Sequence, residues 1–151
     1  MRGCRVYYNT DMTHKDSAAE AGRWLDMLLP LYRQATGYIN LVADDVNDAG
    51  APTNLAALPE VIQQLTPIRK AVVELPRPRD MELRRLKKDC KLTLDACIKA
   101  GKWALKLEQK PSRLRLAMTV FWTDLAVSFS QSLAYKLSAL APNYAGCGGD
   151  A

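Results

Sequence analysis

The chain has 151 residues, of which 48% are hydrophobic and 25% charged, and its net charge is +5. This length suits one domain with a single core, and the composition is that of a globular protein. Leu and Ala are abundant whereas Val, Ile and Thr are sparse, which favours helices over sheets. The apolar residues form neither a secretory signal nor a membrane-spanning run, so we expect a cytoplasmic protein.

The first predicted helix covers residues 16–49. Ser17 and Glu20 fit a capping box at its start, and Gly50 follows its last turn. Pro30 lies inside this helix and should kink it. Its apolar residues recur at helical spacing and are predicted to face the core: Leu25, Leu28, Leu29, Tyr32, Ala35, Ile39, Val42 and Val46.

The second and third predicted helices are separated by the sequence Pro-Arg-Pro, which breaks the chain. The second begins at Pro59, a favourable first-turn residue, and runs to Leu75. It contains Pro67, which predicts a second kink. Asp80 is predicted to cap the third helix, which continues to about Gly101 or beyond.

The fourth predicted helix follows a turn at Lys110-Pro111-Ser112, with Ser112 as a candidate cap. It runs to Ala141 and is expected to end at Pro142. Because this helix is weakly polar all round, we predict that it is either the most buried helix or the one through which the protein oligomerises.

The predicted fold is all-α: an antiparallel four-helix bundle with kinked helices 1 and 2. Short connections make consecutive helices antiparallel. Helix 3 is apolar on two flanks, which indicates packing between two neighbours. The predicted organisation is a flexible N-terminal segment at 1–15, the bundle at 16–141 and a flexible tail at 142–151.

A line of cations on helix 3 is the most informative feature of the chain. The segment 77–115 holds thirteen Lys and Arg against five Asp and Glu. A helical wheel places one acid, Asp95, and no aromatic on the same side as the cations. The alternative interpretation is an ordinary solvated face, although such faces usually mix both signs. Seven residues are predicted to form a basic ridge that binds anionic lipid or a partner: Arg84, Arg85, Lys88, Lys91, Lys99, Lys102 and Lys106.

The other reactive side chains fit no catalytic or metal-binding pattern. The lone histidine, His14, is expected at the surface ahead of helix 1. Cys90 and Cys97 lie too far apart along one helix for a disulfide and are interpreted as small core residues. Cys4 and Cys147 lie in the polar ends of the chain. We therefore predict no enzyme activity, no metal site and no cofactor.

Three stretches resemble the resistance-to-powdery-mildew type coiled-coil domain of plant immune proteins. They are LTPIRKAV at 65–72, ELPRPRDMELRRLKKD at 74–89 and ACIKAGKWALK at 96–106. They lie within the stretch 65–116, which covers about a third of the chain. The sequence departs from the family at Ala104, where an asparagine is expected after the tryptophan. The resemblance implies a four-helix bundle related to the fungal HeLo domain and to the N-terminal bundle of the mixed-lineage kinase-like pseudokinase.

These families oligomerise, bind anionic lipids through basic residues and perturb membranes in cell death. The resemblance therefore implies a cell-death or immune signalling domain, peripherally membrane-associated on activation, with the basic ridge facing lipid. Its expected partners are an anionic membrane, further copies of itself and the remainder of a longer receptor chain. The polar N-terminal segment favours surface binding over insertion. The alternatives are an adaptor bundle without membrane activity and a bundle that binds nucleic acid without sequence specificity.

Overall fold

The fold is described for residues 12–44 and 46–144, and for the side chains of 18–44 and 46–140, by a computed structural model. The helices are α1 (Met12–Ala43), α2 (Leu58–Val73), α3 (Met81–Gln109) and α4 (Arg113–Tyr144). A short 3₁₀ helix precedes α2. The described residues form no strand, only one isolated bridge. The all-helical class and the four helices are thus as predicted.

The C-terminal end of α1 differs from the prediction. The helix ends at Ala43 rather than Ala49, because Asn47 folds the residues after it into a turn. The Asn47 side-chain oxygen accepts hydrogen bonds from two following backbone N–H groups, at 2.9 and 3.0 Å. Gly50 closes this turn with a φ of 89°, a conformation that glycine adopts without steric cost. Val46, predicted to face the core, is 41% exposed outside the helix.

Side-chain caps fix the starts of two helices. The Asp80 carboxylate accepts hydrogen bonds from two backbone N–H groups in the first turn of α3, at 2.7 and 3.2 Å. Ser112 Oγ accepts one from the Arg115 N–H at 3.1 Å. Both predicted caps are confirmed, because they depend on local chemistry alone. By contrast, α1 begins at Met12, so Ser17 lies inside the helix rather than at its start.

Four prolines lie within the described helices. Pro30 is inside α1 and Pro67 inside α2, while Pro59 occupies the first turn of α2 as predicted. The expectation that Pro142 ends α4 is wrong, because the helix continues to Tyr144. A proline removes one backbone donor, and so close to a helix end this affects only the final turn.

The core is organised around α3, which contacts each of the other three helices. Gly101 permits one close approach, since a Cβ there would lie 3.3 Å from Cγ1 of Ile62 on α2. The packing of α3 between neighbours, predicted from its two apolar flanks, is confirmed. Its buried side chains include Leu86, Cys90, Leu94, Ala96, Cys97 and Ala100.

The prediction that α4 might be the most buried helix is wrong. Leu114 is 66% exposed, Phe121 53% and Tyr135 76%. The described part of α4 buries Thr119, Thr123 and Ala126 in its first half and Leu133, Leu137 and Leu140 in its second half. The other interpretation of this helix, as an oligomerisation surface, remains a prediction.

Among the described side chains three threonines are buried, and two of their hydroxyls are hydrogen-bonded. Thr93 Oγ1 donates to the Asp89 carbonyl at 2.8 Å, and Thr119 Oγ1 donates to the Arg115 carbonyl at 2.7 Å. Thr123 Oγ1 is buried without a partner among the described residues. A buried hydroxyl without a hydrogen bond destabilises a folded protein by roughly 1–3 kcal/mol.

We expect Thr123→Val to raise the free energy of unfolding by about 1 kcal/mol, because valine has nearly the same shape and no unpaired hydroxyl. Urea unfolding followed by circular dichroism measures the change. Thr119→Val is the matched control, since it removes a hydroxyl that is hydrogen-bonded, and it should not stabilise the protein. Equal effects of the two substitutions would contradict the assignment.

Candidate functional site

All seven residues of the predicted basic ridge lie on α3, within a sector of roughly 120° of the helix. Six of them recur at intervals of three, four or eight residues, so the regular helix brings them into one line, and Arg85 flanks that line. The exposed members are Arg85, Lys88, Lys99, Lys102 and Lys106. Arg84 and Lys91 are half-buried. The structure therefore brings the predicted residues together on one side of the molecule.

Asp95 is the one acid in this sector, and its charge is already compensated. Its carboxylate pairs with Arg69, which reaches across from α2, and lies 3.8 Å from Lys91 Nζ. No described acid forms an ion pair with Lys88 or Lys102, which face solvent. The ridge consequently presents a net positive surface that Asp95 does little to reduce.

The expectation that no aromatic accompanies the ridge is wrong. Lys99 Nζ lies 4.3 Å from the centre of the Trp122 ring, and Lys106 Nζ lies 4.5 Å from that of Trp103. Each ammonium is attracted to the face of its ring, which holds the charge in place. Trp122 belongs to α4, so its position beside Lys99 depends on how two helices pack and has no signal in the helix 3 sequence.

A cationic groove lies at the start of α3, against the linker after α2. Its volume is about 320 Å³. Three ridge cations, one neighbouring lysine and a linker arginine line it, and no carboxylate does so. The lining residues are Val73, Arg77, Pro78, Arg84, Lys87, Lys88 and Lys91. Arg77 and Lys87 were not among the predicted site residues, although Lys87 lies one turn from both Arg84 and Lys91.

Two of these cations are held by linker carbonyls. Arg84 Nε donates a hydrogen bond to the Pro78 carbonyl at 2.8 Å, and Lys87 Nζ donates one to the Leu75 carbonyl at 2.7 Å. The linker therefore fixes the positions of charged side chains that would otherwise sample many rotamers.

The buried cysteines are unsuited to nucleophilic chemistry. Cys90 and Cys97 are free thiols in the core, as predicted. Burial raises the pKa of each to about 12, so the thiolate is scarce at neutral pH. No group of acids, cysteines or histidines among the described residues could hold a metal ion. Cys4 and Cys147 lie outside the described residues, as does the His14 side chain, although the His14 backbone is inside α1.

Comparison with protein-family models, curated proteins and solved structures finds no match to this chain. None of the described helices combines the length and apolar character needed to cross a membrane. The candidate site is therefore identified by its geometry alone. It consists of a line of exposed cations on α3 and the cationic groove at the start of that helix.

Proposed function

We propose that the protein binds anionic membrane surfaces through the basic ridge of α3. The observation that carries this proposal is the five exposed cations on one side of one helix, with a single acid that is already paired. From Arg84 to Lys106 the ridge extends roughly 33 Å at 1.5 Å per residue. Each Lys or Arg near an acidic leaflet contributes on the order of 1 kcal/mol, so several together give reversible, salt-sensitive attachment.

We further propose the antiparallel arrangement and the kinks at Pro30 and Pro67. The arrangement is supported by contacts that run in opposite directions along successive helices: as the residue number in one helix falls, that of its partner in the next helix rises. Between α3 and α4 these are Lys106 with Arg115, Lys99 with Trp122 and Asp89 with Lys136. Between α2 and α3 they are Ile62 with Gly101, Arg69 with Asp95 and Leu75 with Lys87. Such packing leaves five of the seven ridge residues exposed, from Arg85 to Lys106.

The cellular role that fits this surface is a signalling domain of the cell-death or immune type. The resemblance of residues 65–106 to such domains motivates this role. Oligomerisation is part of the proposal, with Leu114, Phe121 and Tyr135 as the apolar residues that α4 leaves exposed. Several copies on one membrane would multiply the attachment of each ridge. The proposal involves no catalysis and no cofactor.

Binding to nucleic acid is less well supported. Base stacking needs an uncovered aromatic face. The rings of Trp103 and Trp122 are half-buried, and each carries a lysine ammonium over its face. A partner protein with an acidic helix is the other alternative, and it predicts no response to lipid.

The test is co-sedimentation with vesicles of neutral phosphatidylcholine, with and without phosphatidylserine. The wild type should bind only the anionic vesicles and should be released by salt. Reversing Lys88, Lys99 and Lys102 to Glu should lower partitioning by at least about 100-fold, because three attractions become three repulsions.

The matched control reverses three exposed cations on α1 and α2, namely Arg23, Arg33 and Lys70. It changes the net charge by the same amount and should retain most of the binding. Circular dichroism checks that both variants are helical. Equal losses in the two variants would show that net charge, rather than the ridge, attracts the membrane. If the wild type does not bind the anionic vesicles, the alternative of an adaptor bundle that binds a partner protein is favoured.

A further inference from the structure

The cationic groove at the start of α3 has the properties of a discrete ligand site. Five of its seven lining residues are Lys or Arg, and the other two are Val73 and Pro78. Its volume of about 320 Å³ lies at the lower end of the range of small-molecule pockets, roughly 300–1,000 Å³. We infer that this groove binds a compact polyphosphate group, in which adjacent phosphates carry several negative charges. The inference rests on the proposed function, because the groove shares Arg84, Lys88 and Lys91 with the ridge.

The chemistry of the groove suits a ligand that carries several phosphate oxygens. Arg84 uses Nε to hold the Pro78 carbonyl, which leaves the remaining guanidinium N–H groups for a ligand. Lys87 likewise uses one ammonium N–H on Leu75. Guanidinium groups bind phosphate oxygens through paired hydrogen bonds, and lysines add point charges. A ligand with several phosphate oxygens can engage these donors together.

The site does not depend on the N-terminal end of α3. The Asp80 carboxylate already accepts hydrogen bonds from the Glu82 and Leu83 N–H groups there. The attraction must therefore come from the side-chain cations. Lys91 is the one member of the groove beside an acid, since its Nζ lies 3.8 Å from Asp95, which is also paired with Arg69.

Five clustered like charges repel one another, and an anion between them relieves that repulsion. The folded protein should therefore gain stability when a polyphosphate is added, because the ligand binds the folded groove and not the unfolded chain. The expected result is a rise in melting temperature with inorganic tripolyphosphate, and saturable binding of one tripolyphosphate per chain by isothermal titration calorimetry.

Two pairs of substitutions separate the groove from the ridge. Arg77→Gln with Lys87→Gln removes two charges that belong to the groove alone. Lys99→Gln with Lys102→Gln removes two that belong to the ridge alone. The first pair should weaken tripolyphosphate binding at least about tenfold, and the second should change it less than about twofold. Arg77→Gln alone should weaken binding in the same direction, and it leaves the Lys87 hydrogen bond to the linker intact.

The source of the phosphate is distinguished with vesicles. Phosphatidylinositol bisphosphate vesicles are compared with phosphatidylserine vesicles of matched surface charge. A preference for the bisphosphate lipid that is lost in the Arg77/Lys87 variant supports the inference and assigns the groove to a lipid headgroup. Tripolyphosphate binding with equal partitioning on both vesicles supports it and assigns the groove to a soluble polyphosphate.

Each proposal can fail without the other. Absence of saturable tripolyphosphate binding would overturn the inference that the groove is a ligand site. Salt-sensitive attachment to phosphatidylserine vesicles would still support membrane binding by the ridge. Tripolyphosphate binding that weakens equally in the groove and ridge variants also overturns the inference that the groove is a ligand site, since general charge then explains the binding. If the protein binds tripolyphosphate saturably but does not bind phosphatidylserine vesicles, the groove is a polyphosphate site and the proposed membrane function is wrong.

Discussion

Trp24→Ala should lower the free energy of unfolding by about 3–5 kcal/mol, the range for removing a large buried aromatic side chain. The Trp24 side chain is only 3% exposed, and its Nε1–H donates a hydrogen bond to the Pro76 carbonyl at 2.7 Å. It thereby joins α1 to the linker between α2 and α3. The substitution removes the buried surface and also leaves the Pro76 carbonyl without its donor. Chemical unfolding followed by far-ultraviolet circular dichroism measures the loss.

Two further substitutions separate packing from hydrogen bonding at this position. Trp24→Phe keeps much of the apolar contact and removes the donor, so it should cost less than Trp24→Ala, about 1–3 kcal/mol. Phe121→Ala is a control on α4, where the aromatic side chain is 53% exposed, and it should cost less than about 1 kcal/mol. A small effect of Trp24→Ala, similar to that of Phe121→Ala, would contradict the role of Trp24 in the core.

Trp24 also shows what the sequence could not establish. Its position follows the helical spacing of Ala21 and Leu28, which are buried with it, yet the predicted apolar face of helix 1 omitted it. Its hydrogen bond joins residues 52 positions apart, and no local pattern predicts such a contact. The same holds for the ion pair between Arg69 and Asp95, which depends on the packing of α2 against α3.

Local signals were more informative. Asp80 and Ser112 were predicted as caps because the first turn of any helix has unpaired N–H groups and these side chains accept from them. The end of α1 was missed because Asn47 forms its own turn with the backbone, which competes with continuing the helix. The burial of α4 was overestimated because an even mixture of small and apolar residues does not reveal which side faces the core.

The candidate site was partly predictable, because part of it depends on local signals. The line of cations depends only on helical spacing, so its members were predicted and do lie on one side of α3. The groove depends on the path of the linker, whose carbonyls at Leu75 and Pro78 hold Lys87 and Arg84. Spacing along one helix carries no information about a linker that folds back against it.

Alkaline pH should destabilise the protein through its two buried thiols. Burial raises the pKa of Cys90 and Cys97 to about 12 in the folded state, and the nearby Asp89 adds to the effect at Cys90. In the unfolded chain a cysteine has a pKa of about 8.5. Above that value the unfolded state loses these protons while the folded state keeps them. The stabilisation is therefore fully present below about pH 8.5 and is lost progressively as the pH rises toward 12.

Each thiol can lower the free energy of unfolding by up to about 1.4 kcal/mol per pH unit in this window. Between about pH 8 and pH 10.5 the wild type should therefore lose roughly 5 kcal/mol more than a variant with Cys90→Ala and Cys97→Ala. Urea unfolding at each pH, under reducing conditions, measures both curves. All other titratable groups are common to both proteins, so their contribution largely cancels in the difference. Parallel curves would mean that the two thiols reach water in the folded state, and the packing of α3 at the centre of the bundle would then need revision.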